Sequence, residues 1–191
     1  ISNLRQNKPY QHIIASAKGW LDKGVDGFRL DAAKHVYGIW SIDSRDYTFW
    51  SNFHSDLNAY YKTKPQYDGK DLYLVAEIFD GTGVVRGFAQ NTPLSCFNFD
   101  FWWKTRDMFN AGTGRNIAST LKNFQTQLKS AKSSYIDAVK LTNHDENRAG
   151  EELGGNINRM RMAGAVLMTV SGRPVVYYGE ELGYTGKKES G

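Results

Sequence analysis

The strongest constraint on this chain is an alternation. Stretches with a helical apolar period are each followed by a short apolar run that reads as a strand. From Pro9, Ile13, Ile14, Ala17, Trp20 and Leu21 fall on one helical face, and Gly24 is placed to cap that helix before a strand over 25–31. A loop over 32–45 carries Tyr37 and Trp40. Asp46 then sits where it would cap a helix with a stripe of Phe49, Trp50, Phe53, Leu57, Tyr60 and Tyr61. Turn residues over 65–71 lead into a second strand over 72–77. The glycine-rich stretch 81–93 reads as irregular with room for a short helix, and a third strand follows over 94–98. Aromatic residues over 99–109 suggest a helix. Ile117, Leu121, Phe124, Leu128 and Ala131 define another, ahead of a fourth strand over 138–141. The stretch 156–170 is apolar nearly all round, which predicts a buried helix. Gly172 ends it, and a fifth strand is expected over 174–178. Helices alternating with strands imply a parallel sheet. A (β/α)8 barrel and an open doubly wound sheet both fit, and both place functional residues at the strands' carboxyl ends.

The run Gly24-Val25-Asp26-Gly27-Phe28-Arg29-Leu30-Asp31-Ala32-Ala33-Lys34-His35 is a strand that ends in chemistry. Side chains alternate along a strand, so Phe28 and Leu30 point one way and Arg29 and Asp31 the other. A neighbouring guanidinium favours the ionised carboxylate, and a held carboxylate can serve as a nucleophile. The same pair taken alone could be a structural ion pair. Glu77 closes an apolar strand, where desolvation disfavours a charged carboxyl. The segment Asn143-His144-Asp145, taken alone, reads as a turn and helix cap.

Four segments together resemble the α-amylase family, glycoside hydrolase family 13. The run ending in Asp31 is similar to the family's second signature region, Leu74-Val75-Ala76-Glu77-Ile78-Phe79 to the third, and Leu141-Thr142-Asn143-His144-Asp145-Glu146-Asn147-Arg148 to the fourth. Gly172-Arg173-Pro174-Val175-Val176-Tyr177-Tyr178-Gly179-Glu180 resembles the segment at the last barrel strand, where the run 177–180 has a structural part. The resemblance decides for the barrel over the open sheet. It makes the five strands barrel strands four to eight, so that residues 1–191 would form the C-terminal portion of a (β/α)8 catalytic barrel. Strands one to three, the inserted domain, the last helix and the trailing β domain would lie outside this chain.

The resemblance implies a retaining glycoside hydrolase of the endo-acting α-amylase kind, cleaving internal α-1,4 bonds of starch-like α-glucans. Asp31 would be the nucleophile, Glu77 the acid/base and Asp145 the third acid, gripping the sugar hydroxyls beside the reacting carbon. Arg29 would hold the nucleophile, His144 would bond the same sugar, and Arg148 would reach a more distant one. Lys34 and His35 would contact the leaving-group side of the glucan. The backbone carbonyl of His35 would help to bind calcium, whose remaining oxygens would come from elsewhere. An extracellular or cell-surface location is implied in the same way. Three other readings stay open: a glucanotransferase, which shares the three acids, an α-1,6-glucosidase, which usually lacks the Lys-His pair, and a truncated, non-catalytic glucan-binding fragment with open sheet edges.

Composition excludes other classes. The 24 basic and 20 acidic residues are scattered without a run, so no nucleic-acid footprint is expected. A single cysteine, Cys96, rules out an internal disulfide and reads as a core residue. Four histidines at scattered positions give no zinc spacing. No stretch reads as a transmembrane span. Aromatics make up 14% of the chain, enough to supply sugar-stacking surfaces besides the core. Tyr37, Trp40, Trp102, Trp103 and Tyr178 are candidates for the cleft, with one of Trp102 and Trp103 expected in the core.

Overall fold

A computed structural model describes residues 3–38 and 42–189; Trp40 lies outside them. Five short strands alternate with helices: β1 (Gly27–Leu30), β2 (Tyr73–Ala76), β3 (Ser95–Asn98), β4 (Ala138–Lys140) and β5 (Arg173–Val175). The helices are α1 (Lys8–Leu21), α2 (Ser44–Tyr61), α3 (Thr82–Asn91), α4 (Phe99–Ala111), α5 (Ile117–Ala131), α6 (Ala149–Glu152) and α7 (Ile157–Thr169). Every strand pairing is parallel, and the order in the sheet follows the order in the chain. This is the five-strand portion of a (β/α)8 barrel that the alternation and the family resemblance imply. The chain divides into two compact units, Ile1–Phe79 with Gly87–Cys96, and Asp80–Arg86 with Phe97–Gly191.

In the first unit β1 and β2 run in register, Phe28 against Leu74 and Leu30 against Ala76. Leu30, Leu74 and Ala76 are buried, and the buried stripes of the flanking helices are Tyr10, Ile14, Ala17 and Leu21 of α1 and Trp50, Phe53, Leu57 and Tyr61 of α2. The α1 stripe differs from the expected face: Ile13 and Trp20 are exposed and Tyr10 takes their place. Each lies one residue, about 100°, from the buried line, at the edge of what a helix can bury. Asn7 caps α1, its side chain accepting from Tyr10 N at 3.2 Å.

The first unit also fixes why Gly27 must be a glycine. A Cβ built there would lie 2.1 Å from the Tyr73 carbonyl oxygen. Backbone cannot retreat as a flexible side chain can, so Gly27→Ala is expected to cost roughly 1–3 kcal/mol. A thermal melt checks this, and an unchanged Tm would show that β1 and β2 can separate freely.

The cap of α2 differs from expectation. Asp43, not Asp46, caps it, accepting from Arg45 N at 2.8 Å. Asp46 is fully buried inside the first turn, where Oδ1 accepts from Tyr37 N at 2.8 Å and Oδ2 has no hydrogen-bond partner. Burial pushes its carboxyl above the usual range.

In the second unit α4 and α7 pack with β4. Phe101, Trp102, Phe109, Val139, Leu141, Leu153, Met160 and Leu167 form one apolar cluster. Asn98 caps α4, accepting from Phe101 N at 2.9 Å and donating to Asp137 Oδ2 at 2.7 Å. The expected all-round burial of 156–170 is not found. Met160, Ala163 and Leu167 are buried, whereas Ile157, Met162 and Met168 are more than half exposed. The fifth strand is shorter than expected and its three residues are all exposed.

The glycine-rich stretch over 81–93, read as irregular with room for a short helix, holds a helix over most of its length, α3. Its first turn is satisfied from outside: Asp100 Oδ2 accepts from both the backbone N and Oγ1 of Thr82 at 2.7 Å. Cys96 is buried, as expected for a core thiol.

Candidate active site

The first unit gathers the residues at the ends of β1 and β2. The ladder continues past both strands, with Glu77 N donating to Leu30 O at 2.8 Å and Ala33 N to Glu77 O at 3.0 Å. These bonds fix Glu77 beside the peptide that follows Asp31. There Ala32 adopts φ of +43°, the left-handed region that side-chain-bearing residues rarely occupy. That turn aims Ala32 N at Glu77 Oε2, at 3.0 Å.

Arg29 joins the two carboxylates. Its Nη1 lies 2.5 Å from Asp31 Oδ1 and its Nη2 lies 3.8 Å from Glu77 Oε2. The carboxylates differ sharply in surroundings: the Asp31 side chain is 78% exposed, the Glu77 side chain 10%. Two carboxyl groups in contrasting surroundings are thus tied through one guanidinium.

Lys34 and His35 follow on a single helical turn, Ala33–His35. Lys34 Nζ donates to Phe79 O at 3.0 Å, Trp50 Nε1 donates to Ala33 O at 2.7 Å, and His35 Nδ1 lies 2.9 Å from Gly38 O. The segment after Asp31 is thus tied to α2 and to the segment after Glu77. Among the described residues no group of three His, Cys, Asp or Glu could hold a metal ion. Calcium takes about six to eight oxygens. Of these, His35 would offer one, its backbone carbonyl.

The second unit carries the segment after β4. Thr142 is anchored by Glu180, whose Oε1 accepts from Thr142 N at 3.1 Å and from its Oγ1 at 2.8 Å, while Oε2 accepts from Tyr177 N at 3.0 Å. Glu180 is buried, and desolvation raises its carboxyl above the ordinary range despite these bonds. This gives the Tyr177–Glu180 run the structural part expected of it. Asn143 Oδ1 accepts from Asp145 N at 2.9 Å, forming the turn that presents His144 and Asp145 to solvent. His144 Nε2 is 3.0 Å from Asp145 Oδ2, and Lys188 Nζ is 3.6 Å from Asp145 Oδ1. Arg148 is half-buried, its guanidinium 4.9 Å from the Tyr177 ring centre and 4.6 Å from that of Tyr178, with Nη1 donating to Tyr178 O at 2.6 Å. His144, Glu146, Arg148, Tyr177 and Lys187–Lys188 line a polar cavity of about 130 Å³.

Two side chains escaped the sequence reading. Lys140 is buried at the end of β4 and paired with Glu146, whose other oxygen accepts from Trp103 Nε1 at 3.2 Å. The signal was available, since a lysine stands in an otherwise apolar strand. Of the two tryptophans left open, Trp102 is the core residue and Trp103 the one that reaches Glu146.

Known proteins resemble this chain over nearly its whole length. The family model described as "Alpha amylase, catalytic domain" matches residues 3–191. The α-amylase SusG of Bacteroides thetaiotaomicron is 39% identical over 191 residues, covering all of this chain and 27% of that protein. A cyclomaltodextrin glucanotransferase of a Bacillus species is 32% identical, over 92% of this chain and 23% of its own length. The crystal structure of an α-amylase from H. orenii superposes with a TM-score of 0.80 at 33% identity, over 95% of this chain and 36% of that one. The chain thus spans about a quarter to a third of the length of these proteins.

Proposed function

Because this chain belongs to the α-amylase family, we propose that it carries barrel strands four to eight of a retaining glycoside hydrolase that cuts internal α-1,4 bonds of starch-like glucans. The observation that supports this most is Arg29 in contact with both Asp31 and Glu77.

In this reading Asp31 attacks the anomeric carbon as Glu77 protonates the departing glycosidic oxygen. The bond to the leaving sugar breaks and a glycosyl ester to Asp31 forms. Glu77, now a carboxylate, takes a proton from water, which attacks the same carbon and frees Asp31. The contrast between a solvent-facing Asp31 and a shielded Glu77 suits these roles. Glu77 is held through Oε2, so proton donation falls to Oε1. Asp145 and His144 are assigned to sugar hydroxyls, Arg148 to a further sugar, and Lys34 and His35 to the leaving-group side. Calcium is proposed only through the His35 carbonyl. Secretion or surface display rests on the family resemblance. Among the described residues no helix is long and apolar enough to cross a membrane.

Relatives of this chain include both α-amylases and glucanotransferases. Hydrolysis is the primary reading; the Lys34-His35 pair favours α-1,4 cleavage over an α-1,6-glucosidase, whereas a glucanotransferase shares the same three acids and differs in its choice of acceptor. Digestion of soluble starch by the intact enzyme is expected to yield linear malto-oligosaccharides. Cyclic or lengthened products would transfer the assignment to a glucanotransferase, and release of side branches alone to an α-1,6-glucosidase.

A further inference from the structure

We infer that Lys140 and Glu146 are a positioning pair for the turn that presents His144 and Asp145, an inference that rests on the role proposed for Asp145. Val139 and Leu141 belong to the apolar cluster under α4 and α7, so the alternation of β4 turns Lys140 to the opposite face. There the lysine is 1% exposed. Burying an ammonium is costly unless it is paired. Lys140 Nζ is paired with the Glu146 carboxylate and lies 4.1 Å from the centre of the Phe99 ring. Glu146 is itself largely buried and takes a second bond from Trp103.

The pair matters because of where it is attached. Glu146 directly follows Asp145. On the other side of the turn, Thr142 is fixed by Glu180. His144 and Asp145 therefore hang between two buried anchors, one through Glu180 and one through Lys140, while their own side chains face solvent. Within the turn Asn143 Oδ1 accepts from Asp145 N at 2.9 Å, and the backbone bond from Glu146 N to Asn143 O is longer, at 3.3 Å. Removing the second anchor frees the residue next to Asp145 without touching any residue proposed to meet the sugar.

The chemistry of buried pairs separates positioning from bulk stability. Removing one partner leaves an uncompensated buried charge, whereas replacing both by neutral groups of similar size is tolerated. Lys140→Met and Glu146→Gln, each alone in the intact enzyme, should therefore lower Tm, and the double variant should regain most of it. A positioning pair predicts that kcat does not return with Tm. In the folded double variant kcat on malto-oligosaccharides should stay about 10- to 100-fold down, with KM changed less than about threefold, as expected when a group is misplaced by a fraction of an ångström.

Hydrogen exchange supplies a readout independent of activity. Amides over 141–148 should exchange about tenfold faster in the double variant, with α4 and α7 unchanged. Recovery of kcat together with Tm, or unchanged exchange over 141–148, would overturn the inference. If the wild-type enzyme cleaves no α-glucan, the proposed function fails, and the exchange experiment still decides whether this pair holds the turn.

Discussion

Glu77→Gln in the intact enzyme is expected to lower kcat/KM on starch by about 10²–10⁴, the scale of lost general acid catalysis. The substitution is close to isosteric. Its amide oxygen can still accept from Ala32 N, so the turn after Asp31 should keep its shape. What disappears is the proton for the leaving oxygen. The loss should therefore depend on the leaving group. With a sugar alcohol departing, the full penalty applies. With a departing fluoride or nitrophenolate, which leaves without protonation, the first step should approach the wild-type rate and the glycosyl-enzyme should accumulate. Steady-state rates on starch, set against burst kinetics with an activated glucoside, measure both arms. An equal loss on both substrates would remove Glu77 from the acid role and leave it as a support for Ala32.

How much of this was written in the sequence depends on the range of the interaction concerned. The alternation of helices and strands was legible because each element advertises itself by its own apolar period. The pairing of Phe28 with Leu74 and of Leu30 with Ala76 then puts Arg29 and Asp31 where the alternation of strand side chains predicts. Contacts that cross long stretches of chain were not legible. The helix α3 draws its N-terminal partner from Asp100, 18 residues on, so its glycines and lack of a local cap made it look irregular. Asp46 was misread as a cap because an acid before an apolar run is a common helix start; Asp43 sits three residues earlier and does the work. The exposed methionines of α7 show the limit of hydrophobicity as a guide to burial, since a helix buries only the face it has a partner for. In the site, Asp31 and Glu77 were legible from their places at strand ends. The left-handed Ala32 that joins them, and the Lys140 anchor behind Asp145, depend on backbone angle and burial, which residue letters do not display.

Replacing Asp31 by Gly is expected to have the larger effect, a loss on the order of 10⁴ or more, as is typical when a covalent nucleophile is removed. Stereochemistry then separates the two carboxylates in a way that rates cannot. Supplied with an α-glucosyl fluoride and azide, the Asp31→Gly variant has a space where the carboxylate stood. Azide can attack the anomeric carbon from that side in one displacement, expelling fluoride and giving a β-glucosyl azide. A Glu77→Ala variant keeps Asp31, so fluoride is expelled by the carboxylate first and azide displaces the ester second. Two inversions restore the starting configuration, and the product is the α-azide. The assignment of nucleophile to Asp31 and acid/base to Glu77 requires this opposite pair of products, read by proton coupling at the anomeric centre. If both variants gave the same anomer, the division of labour drawn from the exposure of Asp31 and the burial of Glu77 would be wrong, even with the guanidinium of Arg29 joining the two.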